Sequence, residues 1–373
     1  MSEVRRLRVL MISKACVVGS YQRKLEELAA FPDIDLTVLV PTEWRDERGV
    51  LPLERAYTHG YNLIARKLAL NGHFHLHFFP GLGRFVRGLR PDVVHIDEEP
   101  YNVATWQAVR AARRAGARTV FFTWQNLRRQ YPPPFAWIER YVLSVADYAL
   151  AGNQAAIAVW RDKGYRGPMK VVRQFGVDPE LFAFRSPPAL AGRPLTVGYV
   201  GRLVPEKGVD LLLRAAAGLG EDIRVQILGS GPCESDLRAL AAELGLASRV
   251  AFRPPIPSVD MPRFMPQLDV LALPSRARPN WAEQFGRVLI EAMACGVPVV
   301  GSDCGEIPAV IGESGLVFRQ DDVDGLRQVL MRLRDDGLRL QLARKGRARV
   351  ESHFTQARVA AETREVYLEI MGA

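Results

Sequence analysis

Short apolar runs alternate with amphipathic helical stretches along nearly the whole chain, the pattern of βαβ units and parallel sheets. In the first half it predicts strands at Leu7–Ile12, Ile34–Val40, Asp92–Ile96, Arg118–Thr123, Tyr148–Ala151 and Lys170–Gln174, with helices between them such as Gln22–Ala30 and Asn102–Ala115. In the second half it predicts strands at Leu195–Val200, Arg224–Leu228, Arg249–Phe252, Val270–Leu273, Pro298–Val300 and Gly315–Phe318. Helices are predicted near Val209–Ala217, Glu234–Glu243, Arg287–Ala294, Val323–Asp335 and Leu338–Phe354. Both halves therefore read as open α/β sheets of similar size. The join is predicted in Phe182–Arg193, where Pro187, Pro188, Gly192 and small residues break the periodicity. Ligands of such sheets sit beyond the carboxyl ends of the strands. Two such domains facing each other would line a cleft with those loops. One segment stands apart: His73, His75 and His77 alternate with Phe74 and Leu76. On a strand the three imidazoles share one face at spacings of about 7 Å, which predicts a half-exposed strand face rather than one metal site.

Composition narrows the class. The 373 residues are 48% hydrophobic and 24% charged, which excludes disordered and collagen-like chains and favours two domains. No apolar run approaches the roughly 20 residues of a membrane span. The start, MSEVRRLRVLMISKA, carries basic residues before an apolar run of only about five; that is short for a secretory core and suits a first strand. A cytoplasmic protein is expected, with the inner face of a membrane as the alternative location. Cys16, Cys233, Cys295 and Cys304 show no CxxC pair and no zinc spacing, so free buried thiols are expected. The formal net charge of +9 attracts phosphate, nucleic acid or anionic lipid. No nucleic-acid-binding signature accompanies it, so no nucleic-acid partner is expected. In GLGRFVRGLRP, Arg84, Arg87 and Arg90 interleave with Phe85, Val86 and Leu89. That is a short basic amphipathic patch, suited to a membrane surface and equally to an ordinary helix surface.

Three segments carry candidate chemistry. In LTVGYVGRLVPEKGVD a strand enters a turn with Gly198 and Gly201, and a helix opens near Gly208 and Val209. Arg202 and Lys207 flank that turn. Backbone N–H groups at a helix start plus two cations make a diphosphate site; the ordinary alternative is a solvated loop. In QILGSGPC, Gly229 and Gly231 follow a buried strand and precede Glu234, which is half a dinucleotide fingerprint or simply a tight turn. The third segment is the most specific. Leu273, Pro274 and Ser275 end a strand, and Glu283, Phe285, Gly286 and Glu291 follow within WAEQFGRVLIEAMACGVPVVGSD. With a helix starting around Phe285, the two glutamates lie a little over two turns apart, nearly on one face. Glu283 at the helix mouth suits the positive dipole end and can reach a ligand hydroxyl. Glu291 lies in the apolar run VLIEAMA, where a carboxylate is costly unless satisfied, and two adjacent ribose hydroxyls would satisfy it.

Together these segments resemble the retaining family 4 glycosyltransferases, over nearly the whole chain and most strongly over residues 196–312. The E-x(7)-E motif of that family is matched by Glu283 and Glu291, its phosphate-binding pair by Arg202 and Lys207, its GxGP turn by Gly229 to Pro232, and its interdomain segment, less well, by Val172–Asp178. The resemblance implies a GT-B α/β fold of two Rossmann-like doubly wound domains facing across a cleft. Residues 1–187 would form the acceptor-side domain and 188–355 the nucleotide-sugar domain, with the last helix, within 356–373, packing back on the first. It implies a hexosyltransferase using a nucleotide diphosphate sugar, UDP-sugars favoured over GDP-sugars, with no metal or other cofactor required. Glu291 would bind the ribose. Glu283 would bind donor-sugar hydroxyls, helped by the backbone of Phe285 and Gly286, with Arg287 and Val288 completing the helix start. Arg202 and Lys207 would stabilise the departing diphosphate, Gly229 would line the donor, and Arg253 and Pro254 would face the base.

Two departures from the family pattern matter. The usual Gly-Gly turn after the first strand is here Gly19-Ser20; Gly19 would still offer its amide to phosphate or sugar, and Ser20 would cap the helix. The usual T-x-H histidine is replaced by Gln125 in Thr123-Trp124-Gln125-Asn126. Gln125 can bond a sugar hydroxyl but cannot act as a base, which suits a mechanism in which the leaving phosphate takes the acceptor proton. The acceptor hydroxyl, on a saccharide, lipid or small metabolite, would be met by the Asp97-Glu98-Glu99 loop with Tyr101, and by Gln125 and Asn126. Trp124, Tyr131 and Phe135 would form an aromatic platform or core. Two other classes fit the architecture less closely: an epimerase or a pyridoxal-phosphate-dependent phosphorylase, and a non-catalytic module at a membrane surface.

Overall fold

Runs of buried β-branched and aliphatic residues on the central strands drive two all-parallel sheets, each with helices on its faces. The computed structural model describes residues 6–46 and 49–372; the basic Arg5 of the N-terminal segment and the final residue of the 356–373 segment lie outside the described residues. The chain forms two units, Met1–Phe175 with Gln356–Ala373, and Gly176–Thr355.

The first unit begins with β1 (Leu7–Ile12), α1 (Arg23–Ala29), β2 (Ile34–Pro41), the hairpin β3 (Glu43–Asp46) and β4 (Gly49–Pro52), and β5 (Asn62–Arg66). It continues through α2 (Leu82–Leu89), β6 (Val93–Ile96), α3 (Val103–Arg114), β7 (Arg118–Thr123), α4 (Phe135–Val145), β8 (Tyr148–Ala151), α5 (Gln154–Asp162) and β9 (Met169–Val171). Its seven-stranded sheet has the order β5-β2-β1-β6-β7-β8-β9. The order reverses beside β1, so the loops after β1 and β6 stand at the switch point where ligands of such sheets bind.

The second unit contains β10 (Leu195–Val200), α6 (Val209–Ala217), β11 (Ile223–Leu228), α7 (Glu234–Glu243), β12 (Val250–Arg253), α8 (Met261–Phe264) and β13 (Val270–Leu273). It ends with α9 (Arg287–Ala294), β14 (Val299–Ser302), α10 (Ile307–Ile311), β15 (Leu316–Phe318), α11 (Val323–Arg332) and α12 (Asp336–His353). Its six strands run β12-β11-β10-β13-β14-β15, with the switch beside β10. The last helix, α13 (Gln356–Met371), belongs to the first unit. Val359, Ala360, Val366 and Tyr367 enter that unit's core beside Leu25 and Leu28 of α1. The Arg364 guanidinium holds Asp33 at 2.7 Å, and the Tyr367 hydroxyl meets His95 Nδ1 at 2.7 Å. Burial pushes His95 down to about 4, which keeps it neutral.

Three sequence expectations are corrected. The domain boundary lies at 175/176 rather than 187/188, because residues 176–187 are tied to the second unit: Arg347 bonds the carbonyls of Pro179, Phe182 and Ala294, and Arg185 bonds Cys295. The segment around His73–His77 is a series of turns, not a strand, with His77 N–H bonded to the His73 carbonyl. Its imidazoles diverge: His73 is exposed, His75 stacks near Tyr101 and Phe135, and His77 is buried 3.5 Å from Glu98. Cys16, Cys295 and Cys304 are buried free thiols, whereas Cys233 is only half-buried.

Candidate functional site

At the carboxyl edge of the second sheet, glycines let three loops interlock. Gly201 N–H bonds the Leu228 carbonyl, and Gly229 N–H bonds the Arg253 carbonyl, both at 3.0 Å. Gly229 has φ +156°, and a Cβ there would stand 1.8 Å from the Gly201 carbonyl oxygen, so only glycine fits. This lacing brings the exposed Arg202, Gly229 and the exposed Arg253 and Pro254 onto one rim. The Arg202 carbonyl is fixed by the buried Tyr199 hydroxyl at 2.7 Å.

Lys207 lies in a single 3-10 turn, Pro205–Lys207, and Gly208 (φ +64°) caps α6 without any side-chain hydrogen bond. Gly286 (φ +74°) caps α9 in the same way. Elsewhere in this unit α11 and α12 are capped by the carboxylates of Asp322 and Asp335, while α7, α8 and α10 also have no side-chain cap. Two helix starts without a carboxylate or hydroxyl cap, on one sheet edge, leave positive dipole ends suited to an anion.

Glu283 lies between them. Its Oε2 accepts from Lys207 Nζ at 2.6 Å and from Ser275 Oγ at 3.1 Å. Lys207 Nζ also stands 5.0 Å from the Trp281 ring centre. The backbone of Glu283 is clamped by the loop after β14: Glu306 N–H bonds its carbonyl at 3.0 Å, and a Cβ on Gly305 would come within 2.2 Å of that oxygen. Ser275, Trp281 and Gly305 were not among the sequence candidates. They lie in the loops that follow β13 and β14, but a serine, a tryptophan or a glycine after a strand is too common to single out. The shared-helix-face expectation for Glu283 and Glu291 is corrected, since α9 begins only at Arg287 and Glu283 precedes it in a loop. Glu291 is buried, with Oε1 2.7 Å from Arg287 Nε one turn earlier. Burial pushes its carboxyl up from the usual range, against the pull of Arg287. Phe285 packs its ring toward Phe354, 6.0 Å between centres, so its side chain serves packing. Val288 is half-buried.

The first unit departs further from expectation. Gly19 N–H is taken by Glu54 Oε2 at 2.6 Å, so its amide already serves an internal carboxylate. Ser20 does not cap α1: the cap position is Gln22, and Ser20 Oγ has no hydrogen-bond partner among the described residues. The acidic loop after β6 turns inward. Asp97 accepts from Ser13 Oγ at 2.6 Å and Gln174 Nε2 at 2.7 Å. Glu98 meets Lys14 and accepts from Asn102 Nδ2 at 3.2 Å. Burial opposes its ionisation, yet Lys14 and His77 hold it down at about 2. Glu99 accepts from Thr123 Oγ1 at 2.6 Å and Trp124 N–H at 2.8 Å. Tyr101 is buried and stacked on Tyr131, 4.1 Å between ring centres. Gln125 is buried, donating to the Leu127 carbonyl at 3.0 Å and accepting from the Tyr131 hydroxyl at 3.3 Å. Glu98, Glu99 and Gln125 thus make internal hydrogen bonds that shape these loops, with Glu99 half-buried; Asn126 is half-buried on the same loop as Gln125. Trp124, bonded through Nε1 to Gln174 at 2.8 Å, and Tyr131 are packing elements too.

Burial outweighs the two hydrogen bonds on Glu99 and pushes it up to about 7. A carboxyl with a raised folded pKa favours folding at low pH and loses that contribution as pH rises toward 7. Glu99→Gln is therefore expected to stabilise the fold at pH 8 by up to about 3 kcal/mol, read as a raised Tm, and to leave Tm nearly unchanged at pH 5. Equal Tm changes at both pH values would show that Glu99 is ionised throughout.

Among the described residues, no group of three or more His, Cys, Asp or Glu side chains is placed to hold a metal ion, and no helix is long and apolar enough to cross a membrane.

Comparison with known proteins agrees with this layout. The family model "Glycosyl transferase 4-like domain" matches residues 19–174, and "Glycosyl transferases group 1" matches residues 183–349. A GDP-mannose-dependent alpha-(1-6)-phosphatidylinositol monomannoside mannosyltransferase of Mycolicibacterium smegmatis is 34% identical over 241 residues, 58% of this chain and 60% of that protein. A D-inositol 3-phosphate glycosyltransferase of Mycobacterium sp. (strain KMS) is 36% identical over 207 residues, 52% of this chain and 46% of that protein. The chain thus spans about half of the length of the curated relatives it matches. Among solved structures, the sucrose-phosphate synthase of Thermosynechococcus elongatus superposes with a TM-score of 0.74 at 20% identity, covering 98% of this chain and 100% of that one. Anabaena HepE in complex with UDP and glucose gives 0.72 at 19% identity, covering 98% and 100%. At such identities these two show the GT-B fold.

Proposed function

Because the chain belongs to the group 1 glycosyltransferases, we propose that it transfers a hexose from a nucleotide diphosphate sugar to a hydroxyl acceptor with retention of anomeric configuration. The observation that carries this reading is the Lys207–Glu283 pair, 2.6 Å apart beside two glycine-capped helix starts. A diphosphate needs cations and open N–H groups. A sugar needs an aligned carboxylate next to them. In this reading Lys207 and Arg202 carry the diphosphate, Glu283 and the backbone of Phe285 and Gly286 take sugar hydroxyls, and Glu291 takes the ribose. Gly229, Arg253, Pro254, Arg287 and Val288 frame the nucleotide. The bond from C1 to the phosphate oxygen breaks and the acceptor oxygen joins C1. The departing phosphate takes the acceptor proton, and the two cations stabilise its charge. Gln125 plays no part as a base, and the reading calls for no metal or further cofactor.

The donor in this reading is a GDP-sugar, on the name of the mycobacterial relative that specifies its donor as GDP-mannose. This replaces the preference for UDP-sugars. Both relatives are named for inositol-containing acceptors, so the acceptor is read as a polyol hydroxyl, free or lipid-borne, with Asn126 retained as its candidate ligand in the first unit. A thermal-shift panel of GDP-mannose, GDP-glucose and UDP-glucose tests the donor. A ligand bound only by the folded state adds about 2.7 kcal/mol of stability at a hundred times its Kd. The GDP-sugars should raise Tm and UDP-glucose should not. Stabilisation by UDP-glucose alone would reverse the base assignment, and no shift with any of the three would overturn the donor site itself.

A further inference from the structure

The net charge of +9 is not spread evenly. Helices α2 and α3 and the residues that close them carry Arg84, Arg87, Arg90, Arg110, Arg113 and Arg114, with no Asp or Glu in either helix. Among the described residues none of these six guanidinium groups makes an ion pair, whereas the neighbouring Arg8 and Arg118 are matched to Asp92 and Asp147. The other faces of both helices are committed to the core through Leu82, Val86, Ala108, Val109 and Ala112. Arg87, Arg110 and Arg114 line one groove of about 230 Å³ between the helices together with Trp106 and Gln107. The Arg110 guanidinium lies 4.6 Å over the half-buried Trp106 ring, and Arg66 lies 4.3 Å over Phe85. Basic residues in a last turn suit the helix dipole, but that accounts for Arg87, Arg113 and Arg114 alone.

We propose that this α2–α3 face docks the protein on a membrane bearing anionic phospholipid. Guanidinium groups bind headgroup phosphates bidentately. An acid-free face meets a negative surface without the repulsion that a mixed surface would add. Trp106 and Phe85, each with a cation over its ring, present the amphipathic pairing found at membrane interfaces. A discrete anion pocket would enclose its arginines, yet Arg84, Arg87, Arg90, Arg113 and Arg114 are all exposed, which suits an extended charged surface. The groove runs along both helices, from Gly83 and Trp106 to Arg114 and Ala115, and both helices belong to the first unit, whereas the donor-site residues belong to the second. Docking is therefore separable from donor binding, and its failure would leave the glycosyltransferase reading standing.

The test is co-sedimentation of the full chain with phosphatidylcholine vesicles, with and without phosphatidylglycerol, at low and high salt. Binding is expected only to the anionic vesicles and is expected to weaken with salt. Arg87→Gln/Arg110→Gln/Arg114→Gln should weaken it roughly a hundredfold, and Arg87→Gln or Arg114→Gln alone roughly fivefold should the triple variant fold poorly. The stabilisation by GDP-mannose should be unchanged in each. A control with equal loss of charge elsewhere, Arg263→Gln/Arg344→Gln/Lys345→Gln, should bind nearly as the wild type. The proposal is overturned by absence of vesicle binding, by equal binding to neutral vesicles, or by equal loss in the control. It is also overturned if a polyribonucleotide binds as tightly as the anionic vesicles and loses that binding in the same triple variant.

Discussion

Glu291→Gln is expected to weaken donor binding by roughly thirty- to a hundredfold while the protein stays folded. A carboxylate accepting two ribose hydroxyls makes charge-assisted hydrogen bonds worth about 1.5–3 kcal/mol each. The amide keeps the shape and one acceptor oxygen but removes the charge and the second acceptor, a loss of about 2–3 kcal/mol. The stability cost is expected to be small because two effects oppose. The amide no longer has to be desolvated as an ion, whereas Arg287, 28% exposed at its side chain, loses the opposite charge of Glu291 but keeps access to water. The same carboxyl gives the donor affinity a pH dependence. Burial has raised its pKa, so protonation, and with it loss of ribose binding, sets in at a higher pH than for an ordinary glutamate. Calorimetric titration with GDP and GDP-mannose measures both effects, with circular dichroism to confirm the fold. Unchanged affinity in a folded variant would make Glu291 no more than the anchor of Arg287.

Glu291 also shows what the sequence could and could not disclose. An acidic residue inside VLIEAMA is visible as an anomaly because burial of charge is costly, and the structure does bury it. The strands were legible for a similar reason. Continuous apolar runs such as those in β1, β7, β10 and β13 have one stable use in a parallel sheet. What escaped were elements whose apolar pattern is weak. The edge strand β5, Asn62–Arg66, is only partly buried, and the hairpin β3–β4 stands outside both main sheets. His73–His77 alternates like a strand, but local turn hydrogen bonds and the pull of Glu98 on His77 decide its form. The internal partners of the acidic triplet were not legible because they are remote in sequence. Lys14, Ser13, Thr123 and Gln174 lie 24 to 84 positions away, and only the fold brings them to Asp97, Glu98 and Glu99. The same holds for Glu54, whose carboxylate reaches Gly19 across 35 positions.

Lys207 and Glu283 were each legible as donor ligands, but 76 residues separate them and the ion pair between them was not. That pair changes what a substitution at Lys207 must be expected to do. Lys207→Ala should lower kcat by about 10²- to 10³-fold, the size of effect seen when one fixed group facing developing charge is removed. It should also destabilise the protein, on the order of 1–3 kcal/mol, because Glu283 would lose the ammonium that pairs with its carboxylate while its side chain is only 10% exposed. Lower activity could then follow either from a lost cation or from a displaced Glu283. The double variant Lys207→Ala/Glu283→Gln separates the two. Removing the stranded charge should restore much of the Tm, since an amide at 283 can still accept from Ser275 Oγ. Turnover should stay low, because no ammonium faces the departing diphosphate. Recovery of kcat together with Tm would show that Lys207 acts only by holding Glu283 in place, and the diphosphate role would then fall to Arg202 and the α6 and α9 helix starts.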